Sequence, residues 1–239
     1  MARIILVHGA MHGGWCWQPI LPLLATRGHD AVAIDLPGAQ GELPPADISL
    51  SRYTDEVIAA LDAAPAPALL IGHSLGGMAI SAAAEARADR VSRLVYLCAL
   101  LPIDGESTMD LLSVNPDQSV IGDFEFAADG LSYSLPPARR RAILYHDCPD
   151  DLAVPALDRL VPQALRMTQD PVDLTEDRFG RVHKTYVETL DDAAVHLPFQ
   201  RAMIARYPDI AVESLDCAHS PFFACPEKLA DLIDAETRR

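Results

Sequence analysis

The fold of this chain is constrained most strongly by the alternation of strand-like and helix-like segments over its first third. Four short apolar runs are typical of strands buried on both faces of a sheet: residues 4–7, 30–34, 68–71 and 91–97. Helix-like stretches separate these runs, at residues 17–27, 53–63 and 75–87. Strands connected by helices of this length predict βαβ units. We therefore expect an α/β fold with a mostly parallel central sheet and helices on both faces.

The alternation stops at about residue 102 and resumes at about residue 181. Proline, aspartate and short amphipathic pieces dominate this interval, which predicts a mostly helical cap inserted above the sheet. After it, residues 183–188 and 210–215 are strand-like, and residues 197–205 and 226–235 are helix-like. The chain has 239 residues, of which 50% are hydrophobic, and this suits a single domain spanning residues 1–239.

The strongest chemical signal is the segment of residues 72–77, which reads GHSLGG. It follows a predicted strand and precedes a helix of small residues, which is the context of a G-x-S-x-G nucleophile elbow. Glycines flank the serine of such a turn because a side chain would collide with neighbouring backbone. The turn also exposes the serine oxygen above a helix N-terminus, where amides favour negative charge. We therefore predict that Ser74 is a nucleophile.

A serine nucleophile needs a base, and the base needs a carboxylate to orient it. In this type of fold they follow in the order serine, acid, histidine. His219 lies on the loop after the last predicted strand and is the predicted base. Asp191 and Asp192 both follow the preceding strand, and because adjacent residues point in different directions only one can orient the histidine. The residue pattern leaves this choice open. We interpret Asp216, a third carboxylate near His219, as a strand-end residue.

An oxyanion hole needs two backbone N–H donors, one after the nucleophile and one from the loop after the first strand. The corresponding residues are Leu75 and Ala10, the latter within a loop that reads HGAMHGGW over residues 8–15. Neighbouring residues are predicted to bind the substrate: Gly9, Met11, His12, Trp15, His73 and Leu101. Aromatic residues of the insertion point to an apolar pocket as well: Phe124, Phe126 and Tyr133.

Together these motifs resemble one branch of the α/β-hydrolase superfamily, that of the plant methylesterases and hydroxynitrile lyases with their bacterial esterase relatives. The resemblance covers nearly the whole chain. Residues 8–15 look like the oxyanion segment of this branch, and residues 72–77 look like its elbow. Counting back from Phe199 and Gln200, the family's acid falls on Asp192, and the family's histidine matches His219. The resemblance implies an α/β-hydrolase fold and hydrolysis of a small carboxylic ester through an acyl-enzyme, with no metal or cofactor.

Two departures from the lyases of this branch bear on the reaction. Cyanohydrin-cleaving members carry a threonine where Gly9 stands and a lysine where Ser220 stands, so the resemblance favours an esterase over a carbon–carbon lyase. A ligand-binding module that retains the hydrolase fold is a further alternative. The complete serine, aspartate and histidine set argues against it, because binding alone needs no activated nucleophile.

The charge and the cysteines of the chain limit the partners and the compartment that can be expected for it. A formal net charge of −15 repels phosphate backbones and anionic lipid, which disfavours nucleic acid and membrane partners. The five cysteines are dispersed without a C-x-x-C pair, which argues against a disulfide framework and a zinc site. The first residues do not read as a secretory leader, so we expect a cytoplasmic protein acting on a small-molecule ester. A homodimer is compatible with the sequence, which carries no interface signal.

Overall fold

The computed structural model describes residues 1–115 and 122–239, and a six-stranded sheet lies at its centre. Its strands are β1 Arg3–Val7, β2 Asp30–Ile34, β3 Ala68–His73, β4 Val91–Leu97, β8 Lys184–Thr189 and β9 Ala211–Leu215. They lie side by side in the order β2-β1-β3-β4-β8-β9, and every neighbouring pair is parallel. The predicted α/β fold with a mostly parallel central sheet is confirmed.

The helices that connect and flank these strands are α1 Leu21–Thr26, α2 Leu50–Ala63, α3 Gly76–Ala86, α4 Thr108–Ser113, α5 Pro137–Leu144, α6 Asp150–Leu157, α7 Arg166–Gln169, α8 Leu197–Ile204, α9 Pro221–Ala224 and α10 Pro226–Glu236. Helix α2 begins three residues before its predicted start because the side chain of Ser49 accepts a hydrogen bond from the backbone N–H of Arg52 and caps it.

The first predicted helix, at residues 17–27, is wrong in its first half. A 3-10 turn at Gly14–Trp17 comes first, and α1 follows it as a separate, shorter helix. Pro19 and Pro22 lack the backbone N–H that a continuous helix would need across these residues. The apolar residues of this stretch follow a helical period, but the two prolines interrupt the helix.

The segment between β4 and β8 contains helices α4 to α7, and the prediction of a mostly helical cap missed a small sheet within it. Three short antiparallel strands lie in the order β5-β6-β7, with bounds β5 Glu125–Phe126, β6 Ser132–Ser134 and β7 Gln163–Ala164. Strands of two or three residues are too short for alternation to reveal them. Residues 116–121, which fall inside the predicted cap, lie outside the described residues.

The central sheet is buried on both faces, and alternate residues of its strands enter two separate apolar clusters. In β1, Ile5 and Val7 pack in the cluster that includes α2 and α3, whereas Ile4 and Leu6 pack in the cluster that includes α1 and α10. Side chains on a strand alternate between faces, so both faces of this strand are apolar. Within the described residues, no helix has the length and apolarity needed to cross a membrane.

Candidate active site

Ser74 lies at the carboxyl end of β3, on the sharp turn that leads into α3. Its φ is +52°, in the left-handed region that residues other than glycine rarely adopt. The turn also approaches the end of β1 closely, because a Cβ added to Gly76 would lie 2.7 Å from the carbonyl oxygen of His8. A glycine is therefore required at that position, and the turn lifts the serine side chain above the start of α3.

His219 connects Ser74 to a buried carboxylate. Its Nε2 atom lies 3.1 Å from Ser74 Oγ, and its Nδ1 atom lies 2.8 Å from Asp192 Oδ2. The imidazole comes from the loop between β9 and α9, and the side chains of His219 and Asp192 are buried. An ionised carboxylate only accepts hydrogen bonds, so Nδ1 carries the proton and Nε2 is free to accept the hydrogen of the Ser74 hydroxyl. This arrangement can move a proton from serine to histidine.

Asp192 is held in its ionised form by its surroundings. Burial acts to raise its pKa, but the neighbouring His219 and the hydrogen bonds donated by the backbone N–H groups of Val195 and Ala194 outweigh this effect and hold the pKa below its usual value. Oδ2 accepts a further hydrogen bond from Thr189 Oγ1, at 2.9 Å. The carboxylate is therefore positioned by four donors in all, of which His219 is one.

The other two carboxylates considered from the sequence are exposed and make no hydrogen bond with the imidazole. The side chain of Asp191 is 77% exposed and lies 3.0 Å from His146 Nε2. Asp216 is exposed at the end of β9. Of the three candidates, Asp192 is the one whose carboxylate contacts His219.

The two predicted oxyanion donors, Ala10 and Leu75, have backbone N–H groups that donate no hydrogen bond within the described part of the chain. Leu75 is the residue before α3, so its N–H is one of the free donors at a helix start. Both residues line the same cavity as Ser74 and His219. Two free N–H groups beside a serine oxygen can bind the negative oxygen of a tetrahedral intermediate.

The carbonyl groups around Ala10 are held in place by two neutral histidines. His8 Nε2 accepts a hydrogen bond from the N–H of Leu36, so its Nδ1 is protonated and donates to the carbonyl of Gly9 at 2.8 Å. This carbonyl and the Ala10 N–H belong to one trans peptide and point in opposite directions. His12 Nδ1 lies 2.7 Å from the carbonyl of Ala10. Burial lowers the pKa of His8 to about 4 and that of His12 to about 3, so both rings stay neutral.

An apolar cavity opens above Ser74 and His219. Besides these two residues, its lining comes from the ends of the central strands and from the segment between β4 and β8: Ala10, Met11, Leu75, Leu100, Thr108, Leu112, Asn115, Phe124, Tyr133, Leu135, Ile143, Leu144, Ala194 and Val195. A second apolar cavity shares Leu112, Phe124 and Tyr133 with the first. Phe126 lines only the second cavity.

Of the predicted substrate-binding residues, Met11 lines the cavity above Ser74 and the other five do not. Gly9 lies beneath the nucleophile, where an added Cβ would be 2.7 Å from the Cβ of Ser74. His73 is fully buried, and its Nε2 donates to the carbonyl of His219. Leu101 is also fully buried.

His12 and Trp15 do not line the cavity above Ser74. The His12 ring is buried, with Nδ1 directed at the carbonyl of Ala10 and Nε2 at the hydroxyl of Tyr145. Trp15 lines a separate cavity, where the guanidinium of Arg159 lies 4.7 Å from its ring centroid. These residues were predicted because they lie in the oxyanion loop, residues 8–15, but their side chains support that loop or pack beside it.

Three side chains near the nucleophile, His73, Cys98 and His219, have the residue types of a metal site. Their potential ligand atoms all lie within 4.8 Å of one another, and all three side chains are buried. Both ring nitrogens of His219 already bind Asp192 and Ser74. Burial raises the pKa of the Cys98 thiol well above its usual value, so the thiolate that a metal requires is disfavoured. The donor set fits a proton-transfer site better than a metal site.

Comparison with known proteins places this geometry in a family. Residues 4–232 match the model of the alpha/beta hydrolase family. A pyrethroid hydrolase of Sphingobium wenxiniae is 32% identical over 242 residues, covering 96% of this chain and 85% of the relative. Esterase PIR7B of Oryza sativa subsp. japonica is 30% identical, covering 97% of this chain and 94% of the relative. The crystal structure of a pyrethroid hydrolase from Sphingobium faniae JZ-2 aligns with a TM-score of 0.90 at 30% identity, covering 99% of this chain and 97% of that one.

Proposed function

The chain belongs to the alpha/beta hydrolase family, in the branch of the methylesterases and related esterases, and is a carboxylesterase-type hydrolase. From this premise we propose that it cleaves a neutral, apolar carboxylic ester through an acyl-enzyme on Ser74, with His219 as base and Asp192 as the orienting acid. The observation that carries the proposal is the continuous chain of hydrogen bonds from Ser74 Oγ through His219 to Asp192, at 3.1 and 2.8 Å.

In the first half of the proposed reaction, His219 Nε2 takes the hydroxyl proton of Ser74 while Oγ attacks the ester carbonyl carbon. The carbonyl oxygen becomes negative and accepts hydrogen bonds from the N–H groups of Ala10 and Leu75. The imidazolium is stabilised by Asp192, which keeps its negative charge. His219 then returns the proton to the alcohol oxygen, the carbon–oxygen bond of the ester breaks, and the acyl group remains on Ser74.

In the second half, a water molecule takes the place of the alcohol. His219 accepts a proton from the water as its oxygen attacks the acyl carbon, and the same two N–H groups hold the oxyanion. Collapse of the intermediate returns the proton to Ser74 Oγ and releases the carboxylic acid. The free enzyme is restored with no change in the oxidation state of any group.

The cavity above Ser74 supports an apolar and neutral substrate. Its described lining contains no carboxylate, lysine or arginine, and His219 is the one titratable group in it besides the hydroxyl of Tyr133. A charged acyl or alcohol group would lose its hydration there without gaining a partner. We propose that residues 102–181 act as the cap of a single domain, because half of the residues that line the cavity come from that segment.

The proposal is tested with a panel of methyl and short-chain aryl esters, using the wild-type protein beside Ser74→Ala. Ser74 is partly exposed and its hydroxyl makes a single side-chain contact, to His219, so the variant should keep its fold, as checked by its melting temperature. We expect saturable hydrolysis by the wild type and a loss of roughly 10³-fold or more in the variant. Equal trace rates would contradict the proposal, and saturable ligand binding without turnover would instead support a binding module. Release of cyanide from a cyanohydrin would point to a lyase.

A further inference from the structure

Four consecutive residues of the segment between β4 and β8 contact the loops that carry the proposed catalytic groups. Residues 145–148, which lie between α5 and α6, read YHDC. Tyr145 contacts the loop after β1, His146 the loop after β8, and Asp147 and Cys148 the loop after β9. This short linker therefore makes directional polar contacts with three separate loops of the site, in addition to connecting two helices.

Tyr145 acts on the oxyanion loop through His12. Its hydroxyl lies 2.6 Å from His12 Nε2, and the other ring nitrogen of His12 lies 2.7 Å from the carbonyl of Ala10. Burial raises the pKa of Tyr145 well above its usual value, so the hydroxyl stays protonated and donates to Nε2. This donation selects the tautomer with the proton on Nδ1, which is the form that can donate to the Ala10 carbonyl.

Asp147 and Cys148 contact the backbone of the two residues that flank His219. Asp147 Oδ2 accepts a hydrogen bond of 2.7 Å from the N–H of Ala218. The Cys148 thiol, which can also donate to Asp147 Oδ1 at 3.5 Å, lies 3.8 Å from the carbonyl oxygen of Ser220. Both contacts come from outside the loop and hold the backbone directly before and after the proposed base. The orientation of the His219 ring therefore depends on residues 147 and 148 of the linker as well as on Asp192.

We propose that residues 145–148 form a positioning clamp, in which Tyr145 fixes the oxyanion loop through His12 and Asp147 fixes the loop that carries His219. The inference rests on the proposed function, since it assigns these residues a role in the reaction of Ser74. None of the four contacts the nucleophile, so they act through other residues. His146 is the weakest part of the clamp, because its contact with Asp191 is at the surface, where ion pairs contribute little.

The first test is Tyr145→Phe, with Tyr96→Phe as the matched control. Both tyrosines are fully buried and each hydroxyl lies within hydrogen-bond distance of one side chain, but Tyr96 contacts Ser81 on α3, away from the cavity. Tyr145→Phe should lower kcat about tenfold, since small misplacements of catalytic groups are costly, and leave KM within about twofold. It should weaken by a similar factor the binding of an aryl trifluoromethyl ketone, which forms a tetrahedral oxyanion on serine. Tyr96→Phe should lower the melting temperature without changing these constants.

The second test compares Asp147→Ala with Asp147→Asn. The amide oxygen of asparagine can still accept the hydrogen bond of Ala218, whereas alanine cannot. We expect kcat to fall about tenfold in Asp147→Ala and to return to within about twofold of wild type in Asp147→Asn. Clamp variants that all keep the wild-type kcat and ketone affinity, while Ser74→Ala abolishes turnover, would overturn this inference and leave the proposed function standing. Turnover that survives in Ser74→Ala would overturn both.

Discussion

His219 Nδ1 and Asp192 Oδ2 are joined by a buried hydrogen bond of 2.8 Å, whereas the adjacent Asp191 points into solvent. The difference arises in the backbone after β8, where the N–H groups of Ala194 and Val195 both turn toward Asp192 Oδ1 at 2.8 Å. Two neighbouring carboxylates thus have separate environments, and only one of them can hold the imidazole in the tautomer that leaves Nε2 free.

The first prediction concerns these two aspartates. Asp192→Asn should lower kcat by roughly 10³–10⁴-fold, because an amide can donate to Nδ1 and stabilise the wrong tautomer of His219. The parallel change Asp191→Asn should leave kcat within about twofold, since its side chain is 77% exposed and bound only at the surface. Steady-state kinetics on one aryl ester measure both. A large loss in Asp191→Asn with little change in Asp192→Asn would reverse the assignment.

The second prediction concerns the partition between the two apolar cavities. The rings of Phe124 and Tyr133 lie 4.8 Å apart, and both residues line both cavities. Phe124→Ala should open one cavity into the other, so the ratio of kcat/KM for a long-chain ester to that for a short-chain ester should rise roughly tenfold. Val154→Ala, an exposed residue of α6 on the same segment, serves as the control and should leave the ratio unchanged. An unaltered ratio in Phe124→Ala would indicate that the acyl and alcohol groups of the ester bind away from the boundary between the two cavities.

The third prediction concerns stability and pH. His8, His12 and His73 are buried, and burial lowers the pKa of each below its ordinary value of 6.5. The unfolded chain therefore binds protons that the folded chain does not, and the free energy of unfolding should fall as the pH drops from about 6.5 to about 5. The slope is at most about 1.4 kcal/mol per pH unit for each histidine. His146 has a raised pKa and opposes this trend, but its contact is at the surface.

Urea denaturation at several pH values between 5 and 7.5 measures this dependence, in a range above the titration of ordinary carboxylates. His12→Asn provides the control, because asparagine can still donate to the Ala10 carbonyl but does not titrate. Its slope should be shallower than that of the wild type. A free energy of unfolding that stays constant or rises as the pH falls through this range would contradict the neutral, buried state of these rings.

How far the sequence predicts the site depends on how local each signal is. Ser74 is predictable because the strand, the turn glycines and the helix that define an elbow are contiguous in the chain. His219 is predictable from its position in the loop that follows the last predicted strand. The choice between Asp191 and Asp192 could not be made from the pattern of side chains, because the difference lies in the backbone N–H groups that turn toward one of them. Only the resemblance to the family favoured Asp192 beforehand.

The substrate cavity was predicted less well, for a physical reason. His12 and His73 lie beside the predicted site in sequence, but both use a ring nitrogen on a backbone carbonyl and stabilise loops instead of lining the cavity. Half of the lining residues come from residues 102–181, and the apolar character of residues such as Leu135 and Leu144 is equally typical of a core. Nothing in their spacing indicates which of them face an empty volume. The contact between Tyr145 and His12, across 133 positions, carries no local signal at all.

The most direct test of the proposed nucleophile is covalent capture with an alkyl fluorophosphonate, followed by mass spectrometry of the intact protein and of its peptides. An activated serine oxygen attacks the phosphorus and displaces fluoride, and the stable adduct marks the nucleophile. We predict a single adduct on Ser74 in the wild type, a much slower reaction in His219→Ala, and no adduct in Ser74→Ala. An adduct on another residue, or equal labelling of the wild type and Ser74→Ala, would contradict this prediction.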